Sequence, residues 1–279
     1  MATKRIHLIH VLAIALGFFS RVDAGENNGR GTRAIALANS VTATALDAWS
    51  IYYNPAALRY LSNAHAAVFY APQQFGLEEL QTSALVGSFP TAIGGVGIHA
   101  DQFGYELYKE LSIGLGAGLS VAEGFAVGLR VGVTRTTIAR YGAANTLNVD
   151  LGLLNEVAEN LLLGFVWKNM NRPTLGRSNE RLPQLLSLGL AYQFDKSFAL
   201  SAAIEKETMY PESVRLGAEY SLHNFIAIRG GISTNPETFS FGIGIHNCGV
   251  EFGYAAVVHD VLGWTHQVEV GILLPSIAK

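Results

Sequence analysis

From about Ala64 to the last residues, apolar and small or polar side chains exchange places at every second position. Val214, Leu216, Ala218, Tyr220 and Leu222 alternate with Arg215, Gly217, Glu219 and Ser221. Phe239, Phe241, Ile243 and Ile245 alternate with Ser240, Gly242, Gly244 and His246, and Val250, Phe252, Tyr254 and Ala256 with Glu251, Gly253 and Ala255. A period of two is the mark of a β-strand with two unlike faces. The pattern predicts about 14 strands of roughly 9–12 residues, the length a tilted membrane strand needs. They are expected at Ala64–Ala71, Leu80–Phe89, Ile93–Gln102, Leu111–Val121, Ala126–Ile138, Thr146–Leu154 and Leu161–Lys168. The series continues at Gln184–Gln193, Phe198–Glu207, Ser213–Leu222, Phe225–Ser233, Thr238–His246, Val250–Val257 and Thr265–Leu274.

The connections sharpen this picture. After even-numbered strands they are tight and carry turn residues, as in Pro90-Thr91-Ala92, Asp195-Lys196 and Asn247-Cys248-Gly249. After odd-numbered strands they are expected to be longer, the longest running from Asn169 to Pro183. Short periplasmic turns, longer outer loops and an even strand count predict an all-β fold: a 14-stranded antiparallel transmembrane β-barrel of a Gram-negative cell outer membrane. A soluble β-sandwich also alternates. Large apolar residues on one face of strand after strand favour the barrel, as do Gly, Ala, Ser and charge on the other face. So do aromatics near strand ends, at Phe69, Tyr70, Trp167, Tyr192, Phe194, Tyr220, Phe225 and Trp264.

Two segments do not alternate. Met1–Ala24 reads as a secretory signal, with Lys4 and Arg5, an apolar stretch from Leu8 to Phe19, and Val22-Asp23-Ala24 before the cleavage point. Residues 25–63 are small, polar and Gly/Ala-rich, with Asn54-Pro55 and aromatics at Trp49, Tyr52 and Tyr53. Three parts are therefore expected: a signal peptide at 1–24, an N-terminal plug at 25–63 and a barrel at 64–279.

Composition agrees. The chain is 49% hydrophobic and 15% charged, below the roughly 25% charge of soluble domains. After the N-terminus no apolar run reaches the roughly 18 residues of a spanning helix. A net charge of −3 without a Lys/Arg stripe gives no basis for a nucleic-acid partner. The single Cys248 forms no intrachain disulfide and lies far from the cleavage point, so it is no lipid anchor there. The histidines lack metal-ligand spacing and no phosphate loop is present, so no cofactor or metal is expected.

If the large apolar face meets lipid, the other face lines the lumen. It carries Asp150, Glu205, Glu219, Glu251 and Glu269, together with Arg130, Lys168, Arg215 and Arg229. An unpaired charge in a narrow lumen is costly, so these are expected to form a charge ladder across neighbouring strands. Arg215 with Glu205 and Glu219 with Arg229 are the expected pairs. Glycines 128, 132, 152, 164, 189, 217, 231, 242, 244, 253 and 271 share that face and leave volume that the N-terminal segment is expected to fill.

Certain stretches are similar to a known family. Gly31-Thr32-Arg33-Ala34-Ile35-Ala36-Leu37-Ala38-Asn39-Ser40, then Asp47-Ala48-Trp49-Ser50-Ile51-Tyr52-Tyr53-Asn54-Pro55-Ala56-Ala57-Leu58, resembles the N-terminal hatch of the FadL-like outer-membrane superfamily, above all its PorV/PorQ branch. Arg215–Tyr220, Ile228–Gly231 and Leu262–His266 are similar to that branch's closing hairpins. The resemblance implies a 14-stranded barrel with the plug folded into the lumen. It implies either a secretion-associated (type IX-like) partner or scaffold, as in PorV, or passage of long-chain fatty acids and other hydrophobic compounds, as in FadL. The chain departs from the family in its small outer loops and in ending at Pro275–Lys279 without a terminal Phe.

Function is thus expected to be that of a secretion partner; the alternative is a passive channel for hydrophobic compounds. The partners implied are outer-membrane lipid, a secretion translocon or secreted protein, and hydrophobic small molecules. An outer-membrane enzyme would need a Ser/His arrangement; His246, His259 and His266 show no such spacing, and no enzyme is expected. The candidate plug or gate residues are Asp47, Tyr53, Asn54, Pro55 and Ala56. Asn-Pro can end a short helix and aim side-chain hydrogen bonds at the wall.

Overall fold

A computed structural model describes residues 29–44, 47–176 and 181–274. The expected signal peptide, residues 25–28 of the expected plug and the tail 275–279 lie outside the described residues. Two short helices come first, α1 (Thr32–Ala36) and α2 (Ser50–Tyr53), followed by a 3-10 turn at Pro55–Tyr60. Fourteen strands follow. They are β1 (Ala64–Ala71), β2 (Thr82–Thr91), β3 (Gly94–Gly104), β4 (Tyr108–Ala122), β5 (Phe125–Ile138), β6 (Gly142–Ala158) and β7 (Leu161–Lys168). The rest are β8 (Leu185–Gln193), β9 (Phe198–Glu207), β10 (Ser213–His223), β11 (Ile226–Thr234), β12 (Glu237–Asn247), β13 (Val250–His259) and β14 (Gly263–Leu274). Each pairs antiparallel with its chain neighbour, and β14 returns to β1, with Ala64 opposite Leu274. The sheet is a closed, 14-stranded barrel of the outer-membrane type.

Alternation places the strands because a closed wall has two environments and no edges. Leu111, Ile113 and Leu115 on β4 face out, and so do Leu129, Val131 and Val133 on β5 and Leu186, Leu188 and Leu190 on β8. All are solvent-accessible on the isolated chain, a band of apolar side chains that only lipid can cover. Tyr192, Phe194, Phe198 and Tyr220 adjoin one another at the turn end, with ring centroids 4.6 to 6.5 Å apart, and form part of an interfacial girdle.

The structure corrects the expected pattern in three places. First, β4 and β6 run well beyond their expected ends. At the loop end their outward positions, with those of β5, include the polar Lys109, Arg135 and Asn145. Alternation of apolar residues stops where lipid stops, whereas the hydrogen-bonded ladder continues. Second, the loops after odd strands are not uniformly long. Residues 105–107, 139–141, 235–236 and 260–262 are as tight as the opposite turns, while 72–81 and 169–184 are long. Third, Phe69 belongs to no girdle. It is 1% exposed and faces inward, because β1 and β2 carry an apolar inner face of Ala67, Phe69, Ala71, Ala84 and Val86.

The β6–β7 seam is short. β6 pairs with β7 only from Leu151 onward, leaving 142–150 without a strand on that side. The loop after β7 supplies a substitute. Asn171 donates from Nδ2 to the Leu147 carbonyl (2.7 Å) and accepts from the Val149 amide (3.1 Å), as a peptide unit would. The Met170 amide donates to the Val149 carbonyl (2.9 Å).

If the outward band is lipid-facing, Leu115→Arg at its middle should destabilise the barrel by about 2–4 kcal/mol. Urea unfolding from lipid vesicles, against a Leu115→Val control, measures this.

Candidate functional site in the plugged lumen

The described N-terminal segment winds round the inside of the wall. α1 packs on β11 to β14, and the 3-10 turn packs on β2 to β6. Between them Ser40 bonds Ser201 (2.6 Å) on β9 and Thr42 bonds Ser187 (2.6 Å) on β8. The segment can lie this close because the wall beneath it is glycine. A Cβ on Gly128 would fall 2.1 Å from the Ala56 nitrogen, and one on Gly152 would fall 2.2 Å from Asn54 Oδ1. Gly164 meets the Thr42 carbonyl, Gly217 and Gly231 meet Leu37, and Gly253 meets Thr32 in the same way. The glycines that alternation places inward form a track for the segment's backbone.

Apolar contacts fill the space inside that ring. Trp49, 2% exposed, stands edge-on to Phe69 at 6.0 Å, and Ile51 and Leu58 are fully buried. Leu58 and Ile51 lie against Gly95, Gly97 and Gly116. The core of this protein therefore sits between plug and wall rather than between sheets.

Asn54 ends α2 and turns its side chain to the wall. Nδ2 donates to the Leu153 carbonyl (3.0 Å) and the Thr42 carbonyl (2.8 Å), while Oδ1 accepts from the Ala56 amide (3.1 Å). Pro55, at the first position of the 3-10 turn, has no amide to satisfy. The Tyr53 hydroxyl accepts from the Arg30 amide (2.8 Å) and lies 2.8 Å from Asn39 Oδ1 and 2.9 Å from the Arg30 carbonyl. It thus ties together the chain on both sides of α1. Burial pushes its phenol well above the ordinary value, so it stays protonated. Asp47 accepts from the Trp49 amide (2.9 Å) and lies 3.7 Å from Arg33 on α1.

The inward charges fall into three groups. At the turn end Glu219 bridges Arg229 (2.5 Å) on the neighbouring strand and Arg33 (2.8 Å) on α1. Burial works against the Arg33 charge, but Glu219 outweighs it and holds the guanidinium above its ordinary value. Toward the loop end Arg215 lies 2.8 Å from Glu205, and at mid-wall Arg130 lies 2.7 Å from Asp150, which also accepts the Asn169 amide. In the third group two acids meet no Lys or Arg among the described residues. Glu251 lies between His65 (3.3 Å) and His246 (3.2 Å). Glu269 accepts from the Thr32 amide (2.6 Å), the Thr32 hydroxyl (3.2 Å) and Trp49 Nε1 (3.0 Å). The ladder expected across strands is thus in part a clasp on the plug.

Sequence reasoning did not pick out Tyr52. Its ring has Lys168 Nζ at 4.8 Å and the guanidinium carbons of Arg30 and Arg130 at 5.6 and 5.7 Å. Three cations round one aromatic ring make a cation–π centre inside the barrel. Nor did it pick out His99 and Asp101, 3.2 Å apart, which join Arg130 and Arg30 to that centre. Inward period-two positions on β3 are the signal that could have found them. His246, His259 and His266 do not gather: His246 faces Glu251, His259 stands edge-on to Phe75 at the loop end, and His266 bonds Tyr254 on the outer wall.

Two cavities lie beside α1. One of about 70 Å³ at the loop end is lined by Ile35, Asn39, Arg215 and Phe75. Phe75 belongs to the loop 72–81, whose amide there donates to Thr265 (3.0 Å). The other, of about 310 Å³, opens at the turn end and is lined by Thr32, Arg33, Glu219 and Glu251. α1 touches both.

Glu269→Ala removes acceptors for three plug donors at once. The loss should be at least about 1–3 kcal/mol, the cost of leaving even one buried donor unsatisfied. The plug should become protease-sensitive in the folded barrel, whereas Glu269→Gln, which keeps one acceptor oxygen, should lose less. Limited proteolysis alongside thermal unfolding reads both effects.

No protein-family model matches the sequence, and no curated protein matches it. Solved structures do match in fold. The chain is similar to the CymD monoaromatic hydrocarbon channel, with a TM-score of 0.65 and 13% identity over 90% of this chain and 98% of that one. It is similar to the Ralstonia pickettii toluene transporter TbuX, with a TM-score of 0.64 and 13% identity over 88% and 97%. A Pseudomonas aeruginosa FadL homologue gives 0.60 and 13% over 90% and 100%. The fold is therefore that of the FadL-like outer-membrane barrels.

Proposed function

We propose that this chain is a passive outer-membrane channel for hydrophobic small molecules, closed in this state by its N-terminal plug. The observation that supports it is α1. This helix separates the loop-end cavity from the turn-end cavity and touches both, so a shift of α1 would join them. The gate comprises Asp47, Tyr53, Asn54, Pro55 and Ala56. Asn54-Pro55-Ala56 is its fixed anchor, set on Gly118, Gly128 and Gly152. Asp47 and Tyr53 hold its moving side, through Arg33, Arg30 and Asn39. The charge ladder of Arg130, Asp150, Glu205, Arg215, Glu219, Arg229, Glu251 and Glu269 stiffens the wall and clasps the plug. The hydrocarbon channels among the similar structures support the same class of solute.

A second reading, a PorV/PorQ-like partner in protein secretion, is favoured by one observation. The connections at 105–107, 139–141, 235–236 and 260–262 are too short to build a wide binding basin above the barrel. Such a protein would bind a translocon or a secreted protein instead.

Proteoliposome uptake of toluene and of a long-chain fatty acid separates the two. Uptake by the full-length protein should rise severalfold in Tyr53→Phe, which unties α1 and leaves the anchor intact. Absence of uptake in both proteins, with co-purification of a secretion complex from native membranes, would replace the channel by the secretion partner.

A further inference from the structure

The wall is not level at its loop end. β4, β5 and β6 rise above their neighbours, and their outward positions there are Lys109, Arg135 and Asn145, all exposed. Register places Lys109 opposite Thr137 and Leu111 opposite Arg135. The two cations are therefore diagonal neighbours on one face, about 7–8 Å apart at the backbone. Asn145 stands directly opposite Arg135 on the next strand. Among the described residues, neither Lys109 nor Arg135 has a side-chain hydrogen bond or ion pair.

Among the described residues no acid shares this outward face. β3 presents Val96, Ile98, Ala100 and Gln102 there, and β6 presents Asn145, Leu147 and Val149. Glu106 lies in the turn between β3 and β4, and Glu110 occupies an inward position. The far rim differs in kind: Lys206 is paired with Glu212 (3.3 Å), and acids stand at Glu237, the start of β12, and at Asp260, after β13.

Immediately below the two cations runs the unbroken apolar face of Leu111, Ile113, Leu115, Val131 and Val133. The chain enters β1 and leaves β14 at the opposite, turn end. With the short turns periplasmic, the cations lie at the outer-leaflet headgroup level.

We propose that Lys109, Arg135 and Asn145 form a docking site for an outer-leaflet lipid whose headgroup carries a phosphate. The guanidinium fork and the ammonium hold the phosphate oxygens, the Asn145 amide donates a further hydrogen bond, and the acyl chains lie on the apolar face below. That continuity selects a lipid over a free anion, which has no use for the apolar face, and over a soluble acidic protein, which would have to bury it. Unpaired cations at a membrane surface act on anionic lipid in this way. The inference stands independently of what the lumen passes.

Native mass spectrometry of the full-length protein in detergent tests it, with bisphosphorylated lipid A, its dephosphorylated form and inorganic phosphate as probes. The protein should retain lipid A and release the dephosphorylated form. Lys109→Ser with Arg135→Ser should weaken lipid A retention by roughly tenfold or more, the scale for two basic residues at an anionic surface. Lys206→Ser, which removes a paired cation on the far rim, should leave it unchanged. Equal retention of the dephosphorylated lipid by the unmodified protein would overturn the site without recourse to any variant. So would equal lipid A retention by the double variant, or displacement of lipid A by millimolar inorganic phosphate.

Discussion

Fourteen strands close a cylinder too wide for its own side chains to fill, since about eight strands already make an interior just large enough for side chains. Everything else in this molecule depends on how that interior is occupied. The sequence meets the constraint from two directions. It removes side chains from the wall where Gly118, Gly128, Gly152, Gly164, Gly217 and Gly253 lie, and it lays an N-terminal segment on the surface so exposed. The result is a ring of backbone against backbone, with Trp49, Ile51 and Leu58 as the apolar filling.

Such packing fixes position but does little to hold charge, and the lumen carries much of it. In a low-dielectric interior each ion needs a partner. Wall pairs such as Arg215–Glu205 and Arg130–Asp150 satisfy one another within the wall. At the turn end the solution is different. Glu219 shares its two oxygens between Arg229 of the wall and Arg33 of α1, and Glu269 spends its acceptors on Thr32 and Trp49. The same carboxylates that would be a liability in an empty lumen become fasteners once the plug is present. Barrel and plug thus depend on each other: without the plug these acids lose partners, and without the acids α1 loses its seat.

The fold was legible because a membrane wall has two unlike faces, and period two reports them directly. β1, β7 and β9 have the ends the pattern predicts. Where the pattern failed, the cause was physical. β4 and β6 continue past the lipid, so their last residues pair without alternating in polarity. β1 and β2 face the plug's aromatic core, so Phe69 and Val86 point inward between outward Val68, Tyr70 and Leu85. The inward acids could be read from phase alone, but their partners could not. Thr32 and Glu269 are 237 residues apart, and Arg33 and Glu219 are 186 apart. Strand register constrains wall-to-wall pairs such as Arg229 with Glu219; nothing in a periodicity places a non-periodic segment. His99 and Asp101 were missed for a related reason, since they gain meaning only beside Arg30 and Arg130.

The distribution of these contacts differs between the two ends of the plug. The stretch from Asn54 to Leu58 is set hard on glycine backbone across β3 to β6, where even a methyl group would collide with main chain. Displacing it would require a whole section of wall to shift. α1 also lies on wall glycine, at Gly242 and Gly253, but it is held besides by carboxylates of the wall and by the Tyr53 hydroxyl, and it borders both cavities. A polar contact of this kind can be replaced by water at small net cost, because the group keeps its hydrogen bond, whereas a steric contact has no substitute. The plug is therefore best understood as an anchored strap. Its Asn54-Pro55-Ala56 end is set on wall glycine and its α1 end is held by Glu219, Glu269 and Tyr53; in the proposed channel, opening of the lumen would begin at the α1 end.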